Sequence, residues 1–379
     1  MIPVSKPHIT EEDISAVTGV LRGGFVSGDA PIVAEFERDF STAVNRTHGV
    51  AVSNGSVALD LVIHALNLTS DDEVIIPSFT IASCLFAVLR SRARPVFADV
   101  ESTTWNLSVE SFQSVITPRT RALIAVQSYG LPIDMQPIEQ LCKEQSITII
   151  EDAAEAHNVT YNGKVCGSFG LASTFSFYAN KAITCGEGGM IVTDDEQLAN
   201  RLRQLRNLSF LTPPGPRFVH EETGWNSRLS ALQAALGKSQ LLRMNAVTAE
   251  KRRIGLAYHQ ILGSHPLVQM QPTATSYSEN MYWVVGLVLD QRLDARRVAL
   301  RLREQGVDSR PFFHPLHRQP VLARFQLSKQ SPLPVSERLG AHGLYLPSYI
   351  GITKNEILHC AQALISILES DLGAHPARS

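Results

Sequence analysis

The chain has 379 residues, of which 44% are hydrophobic and 18% charged, and its formal net charge is -2. That balance fits a globular chain of two or three domains with a large core, and it gives no reason to expect nucleic acid or an anionic membrane as a partner. No apolar run approaches the ~20 residues that span a bilayer. The opening residues Met1 to Lys6 lack the basic-then-apolar order of a signal peptide. Five scattered cysteines, with no C-x-x-C pair, read as reduced cytosolic thiols; twelve histidines without metal-binding spacing predict no metal site.

A polar arm leads into an amphipathic helix over about 11–22, a glycine-bearing turn, and a second helix over about 30–44. His48-Gly49-Val50-Ala51-Val52 is a short strand that stops at Ser53-Asn54-Gly55-Ser56, and helical spacing follows over 57–66. A strand, a small polar turn and a helix start make an anion site, because free backbone N–H groups and the helix dipole point at the turn. The same residues also suit an ordinary N-cap by Ser53 or Asn54. Strands over 73–77, 95–100, 122–127 and 147–151 then alternate with helices over 80–90, from 109, and over 135–145. Short, doubly apolar strands alternating with helices predict an α/β fold with a mostly parallel sheet covered on both faces. In such sheets ligands bind at the carboxyl ends of the strands.

The stretch Thr174 to Met190 begins as an apolar, aromatic strand, exposes Lys181 and ends in the glycine-rich turn Gly186 to Gly189. The strand over 190–193 should pair antiparallel with it. A helix over 196–207, a Pro- and Gly-rich loop over 210–223 and one long helix over about 231–261 follow. That helix marks a boundary near 245–250, with a large α/β domain over 1–247 and a small α+β domain over 248–379. The small domain reads as a strand over 281–289, a helix over 294–305, an extended segment over 307–313, helices over 335–342 and 357–368, and a frayed end over 373–379.

A lone lysine after a strand is usually a solvated surface charge. Lys181, however, follows a strand and precedes a tight turn, and Glu151-Asp152-Ala153-Ala154-Glu155 ends the apolar run over 147–150. A lysine and an acid at the ends of buried strands are what a pyridoxal phosphate site needs: the lysine forms a Schiff base, and the acid keeps the pyridinium nitrogen protonated.

With its motifs S-N-G-S (53–56), E-D-A-A-E-A-H (151–157), F-S-F-Y-A-N-K (175–181), G-E-G-G-M (186–190), G-W-N-S-R (224–228) and R-P-F-F-H-P-L-H (310–317), the chain resembles the DegT/DnrJ/EryC1/StrS sugar aminotransferases over about residues 5 to 370. The F-Y-A-N-K and Y-W-V-V-G-L-V-L runs look most like the GDP-perosamine synthase group, which aminates GDP-4-keto-6-deoxymannose with L-glutamate. The resemblance implies the aspartate-aminotransferase-like fold (fold type I) with a mostly parallel seven-stranded sheet, pyridoxal 5'-phosphate as cofactor, and a homodimer with shared active sites. It implies Lys181 as the covalent lysine and proton shuttle, Asp152 on the ring nitrogen and Glu155 beside the 3-hydroxyl. Gly55, Ser56 and Ser176 match the phosphate cradle, and Asn226 matches a residue that reaches the phosphate from the neighbouring subunit. Ile81 stands where the family commonly has an aromatic stacked on the ring; an aliphatic can pack on that face. Gln127 stands where a histidine often precedes the Tyr-Gly pair, and Cys185 where threonine is common. Related 3-dehydratases carry histidine in place of the lysine, so Lys181 favours transamination. Arg310 and His317 either bind the sugar nucleotide or fix their own loop. Phe312, Phe313, Trp225 and Trp283 read as packing residues. Another 4-keto or 3-keto nucleotide sugar or a keto-cyclitol remains an alternative substrate, and a cofactor-binding regulator an alternative role.

Overall fold

The computed structural model describes residues 1–210, 216, 218–327 and 330–373. Residues 374–379 of the expected frayed end, and six positions of the 210–223 loop, lie outside them. Helices α1 (Glu11–Gly23) and α2 (Pro31–Ala43) precede the first sheet, whose strands are linked by α3 (Gly55–Ala65), α4 (Ala82–Arg90), α5 (Val109–Ser114), α6 (Met135–Glu144) and, after the last strand, α7 (Glu196–Leu205). The strands are β1 (His48–Val52), β2 (Glu73–Pro77), β3 (Arg94–Ala98), β4 (Thr120–Val126) and β5 (Thr148–Asp152). A small hairpin of β6 (Thr160–Tyr161) and β7 (Lys164–Val165) comes next, then β8 (Ala172–Ser176) and β9 (Gly189–Thr193). The seven-stranded sheet has the order β1-β9-β8-β5-β4-β2-β3. Only β9 runs against the others, pairing antiparallel with both β1 and β8.

The sheet is buried on both faces, and the middles of its central strands are apolar on both. Ile75 and Leu123 point into one core, while Val74, Ile76 and Ile124 point into the other. The shared direction of the other six strands brings their carboxyl ends to one edge. The register sets Asp152 beside Val126 on one side and Thr174 on the other. The loop after β8, which carries Lys181, therefore leaves the sheet next to the turn after β5.

Helices α8 (Ala231–Leu241) and α9 (Met244–Leu262) replace the single long helix that the spacing suggests. The break falls at Leu242-Arg243, where Arg243 leaves helical geometry (φ -107°, ψ 6°) and its guanidinium binds Thr10 and Asp13 of the N-terminal segment. Tertiary anchoring of one side chain overrides the helical pattern.

A second, antiparallel sheet, β10-β11-β13-β12, is formed by β10 (Val268–Met270), β11 (Val285–Leu289), β12 (Arg310–Pro311) and β13 (Gly343–Leu346). It packs with α9, α10 (Ala295–Glu304) and α12 (Lys354–Gly373) around its own core, and α11 (Pro334–His342) leads into β13. The strand expected over 281–289 is shorter. Its first half leaves the sheet, with Tyr282 at φ 56°. Met281 and Trp283 instead donate their amides to the carbonyls of Gly130 and Tyr129. Gly130, at φ +95°, permits this approach: a Cβ there would lie 2.6 Å from the Trp283 nitrogen. The splice carries Trp283 across to the strand ends of the large sheet.

Candidate active site

The turn after β1 is capped by Asn54, whose side chain accepts the Val57 amide at 2.9 Å. Capping satisfies that one donor of the first turn and leaves the Gly55 and Ser56 amides without intrahelical partners. The turn thus combines an N-cap and an anion-binding geometry. Ser176, at the end of β8, is packed against it, since a Cβ on Gly55 would come within 2.9 Å of the Ser176 Cβ. Gly55, Ser56 and Ser176 line one end of a cavity of about 640 Å³.

Asp152, Glu155, Lys181 and Ile81 line the same cavity. Asp152 is buried at the end of β5; it accepts the Ala154 amide at 3.1 Å and the Cys84 thiol at 3.4 Å. Burial pushes its pKa up, and Lys181 is among the groups that pull it back. The Cys84 thiol is itself held well above its ordinary range by burial, so it stays a donor. Glu155 accepts the Tyr129 amide at 3.0 Å, with Tyr129 at φ 59°, and its other oxygen lies 3.6 Å from Lys181 Nζ. Burial first, opposed by Lys181, leaves Glu155 at about 7. Lys181 is pushed down by burial against the two carboxylates. Its ammonium also lies 3.7 Å from the centre of the Trp283 ring, whose indole N–H is fixed on the Asn180 carbonyl at 2.9 Å. Trp283 is therefore a wall of the site as well as a packing residue. No motif signalled this, because the contact depends on the Tyr129-Gly130 splice. Cys84 was equally invisible in the sequence.

His317 lines neither this cavity nor the one that Arg310 lines, and its contacts match the loop-fixing one of its two readings. It is 2% exposed, with Nδ1 2.6 Å from Ser78 Oγ and Nε2 2.9 Å from Glu337 Oε1. Both nitrogens are committed to holding the loop before α11. Hydrogen bonds from His317, then from Arg318, hold Glu337 down to about 2. Arg310 lines a second cavity, of about 350 Å³, which Lys181 also lines. Asn226 is exposed and bridges Asn207; it does not line either of these cavities in its own chain. Gln127 is buried between Glu151 and the Ile133 amide, a structural position.

These residues fit pyridoxal phosphate. A buried carboxylate met by an amide, a thiol and the Thr174 hydroxyl suits a cationic ring N–H, and Ile81 supplies an apolar face. The Gly55-Ser56 turn offers free donors to a phosphate, and a largely buried lysine lines the same cavity. Fold and site together define a pyridoxal-phosphate aminotransferase of fold type I. The model of the DegT/DnrJ/EryC1/StrS aminotransferase family matches residues 7–365, and the chain belongs to this family, with pyridoxal 5'-phosphate as its cofactor. It is 35% identical over 360 residues to a GDP-perosamine synthase of Vibrio cholerae, covering 94% of this chain and 96% of that one. It is 34% identical to a GDP-perosamine synthase of Caulobacter vibrioides, covering 97% and 98%. The aminotransferase TlmJ of Streptoalloteichus hindustanus superposes with a TM-score of 0.90 at 27% identity over 99% of both chains. Among the described residues, no helix is long and apolar enough to cross a membrane, and no His/Cys/Asp/Glu group could hold a metal.

Proposed function

We propose that the protein moves the amino group of L-glutamate onto a nucleotide-linked keto-deoxysugar, GDP-4-keto-6-deoxy-D-mannose, yielding GDP-perosamine. The substrate follows from the names of its relatives over nearly the whole chain. The observation that carries the chemistry is a buried lysine 3.6 Å from Glu155, in one cavity with Asp152 and the Gly55-Ser56 turn. Bound pyridoxal phosphate supplies an electron sink that makes the α-proton of the donor removable. Asp152 would hold the ring nitrogen in its charged form, Glu155 would meet the 3-hydroxyl, and Ile81 would pack on the ring face. Gly55, Ser56 and Ser176 hold the phosphate, and Asn226 of a second copy completes that cradle in a homodimer. Lys181 would hold the cofactor covalently and would carry the donor's α-proton. Its burial favours the neutral amine that this role needs. We place the division between a large and a small domain at residue 247, and the enzyme in the cytoplasm.

The test is a visible-absorption titration of cofactor-loaded protein with L-glutamate, then with GDP-4-keto-6-deoxymannose. The cofactor band should fall with glutamate and return with the keto sugar. A fall without return assigns another keto sugar or a keto-cyclitol. Failure to respond to glutamate removes the proposed donor.

A further inference from the structure

The second cavity has a composition unlike the first. Its lining includes Lys6 and His8 of the N-terminal arm, Lys251 of α9 and Arg310 of β12, together with Lys181, and no aspartate or glutamate. Lys251 is 7% exposed, and its Nζ donates to the Ser348 carbonyl at 2.6 Å and approaches Ser348 Oγ at 3.3 Å. Among the described residues no carboxylate lies within ion-pair distance of Lys251 or Arg310. A buried ammonium without a counter-charge is costly, and here burial alone drags it down to about 7. Two of its three donors are used by Ser348, so one remains for a ligand.

The arm that bears Lys6 and His8 is clamped at several points. Ile2 exchanges backbone hydrogen bonds with Gly306 and Asp308, Val4 accepts the Ser348 amide at 3.3 Å, and the Gln240 side chain holds the His8 carbonyl at 3.0 Å. The cations are therefore gathered by built contacts. Tyr178, Asn180, Lys181, Trp283 and Tyr345 line both cavities, so the basic cavity opens onto the same lysine.

We propose that this cavity is a carboxylate-binding subsite for the dicarboxylic amino donor, with Lys251 and Arg310 as its charge partners and the arm lysine Lys6 at its rim. The proposal rests on the donor reading above and adds where the donor's acidic groups are held. Its volume of about 350 Å³ is at the small end of ligand pockets, which suits a small dicarboxylate better than a whole nucleotide sugar. A carboxylate at Lys251 supplies the missing counter-charge, and Arg310 can take a carboxylate by paired hydrogen bonds. Recognition there selects glutamate over monocarboxylic amino acids while its amino group reaches Lys181. Phosphate oxygens of the sugar nucleotide share this anionic chemistry, so the experiment separates the two sources.

Binding of glutarate, an unreactive dicarboxylate, and of GDP is measured by calorimetry on the cofactor-loaded wild type, Lys251→Met and Lys6→Ala. Lys251→Met should weaken glutarate by roughly ten- to a hundredfold, the loss of a charge-assisted hydrogen bond, and leave GDP affinity unmoved. Lys6 is exposed and outside the core, so Lys6→Ala keeps the fold and should weaken glutarate by roughly two- to fivefold. Loss of GDP affinity with glutarate unchanged assigns the cavity to the nucleotide phosphates and overturns the proposal. Unchanged glutarate binding in both variants also overturns it. Conversion of L-glutamate to 2-oxoglutarate by the wild type is scored separately: its absence sinks the proposed function, whereas its presence with unresponsive glutarate binding sinks the subsite alone.

Discussion

Lys181 lines two cavities of opposite character. On one side Asp152 and Glu155 face it from the strand-end turn of β5, beside the Gly55-Ser56 turn and Ser176. On the other, Lys6, His8, Lys251 and Arg310 gather without a single carboxylate in the lining. The acidic side is made by neighbouring strands of one parallel sheet, so its geometry is fixed by backbone pairing. The basic side is assembled from three segments far apart in the chain, the arm, α9 and the second sheet. One lysine can then exchange protons against one wall while the other wall neutralises the acidic groups of a substrate.

The comparison can be broken first at the shared residue. Lys181→Ala should abolish steady-state release of 2-oxoglutarate from L-glutamate; measurable turnover would mean that neither cavity works through this amine. On the acidic side alone, Asp152→Asn should lower turnover by roughly 10²- to 10³-fold while cofactor remains bound, because a carboxamide no longer stabilises the ring's positive charge. Near-normal rates, with cofactor retention checked by absorbance, would remove Asp152 from the ring nitrogen.

Two further variants test what lies outside both cavities. His317→Ala leaves Ser78 and Glu337 without their buried partner and should cost about 2–4 kcal/mol in urea denaturation. The KM for the keto sugar should stay within about twofold, and a larger rise would restore His317 as a ligand. His157, behind the acidic wall, is packed among Phe40, Phe175 and Phe177 with both ring nitrogens buried and unpartnered. Burial lowers its pKa from 6.5 to about 3. The folded state keeps it neutral, so stability present above pH 6.5 is lost as pH falls from 6.5 toward 3. The stability gained by His157→Phe should therefore grow by about 2 kcal/mol between pH 7.5 and pH 5, read from paired denaturation curves. A pH-independent difference would show that the imidazole titrates normally.

The acidic side was legible because its residues end strands. Apolar runs over 73–77, 122–127 and 147–151 pointed to a parallel sheet, and such a sheet brings Asp152, Lys181 and the turn after β1 to one edge whatever the details of packing. The turn between β8 and β9 was legible for the same reason, from its glycines. Less could be read where a side chain or a splice decides. The spacing over 231–261 is helical throughout, yet the anchoring of Arg243 on Asp13 splits it. The run over 281–289 has strand composition, yet Gly130 draws its first half away and turns Trp283 toward Lys181. His317 stands in a motif open to two readings, and its two hydrogen-bond partners support the one that fixes its loop.

By itself the sequence determined the order of strands and helices along the chain and the family, and it singled out Lys181 and Asp152 as candidates for the cofactor, because local periodicity and short motifs are properties of contiguous residues. The tertiary structure alone decided which cations meet around Lys251, which ring covers Lys181 and which histidine is withdrawn from the site. Those depend on long-range contacts, where a single buried partner outweighs any local preference.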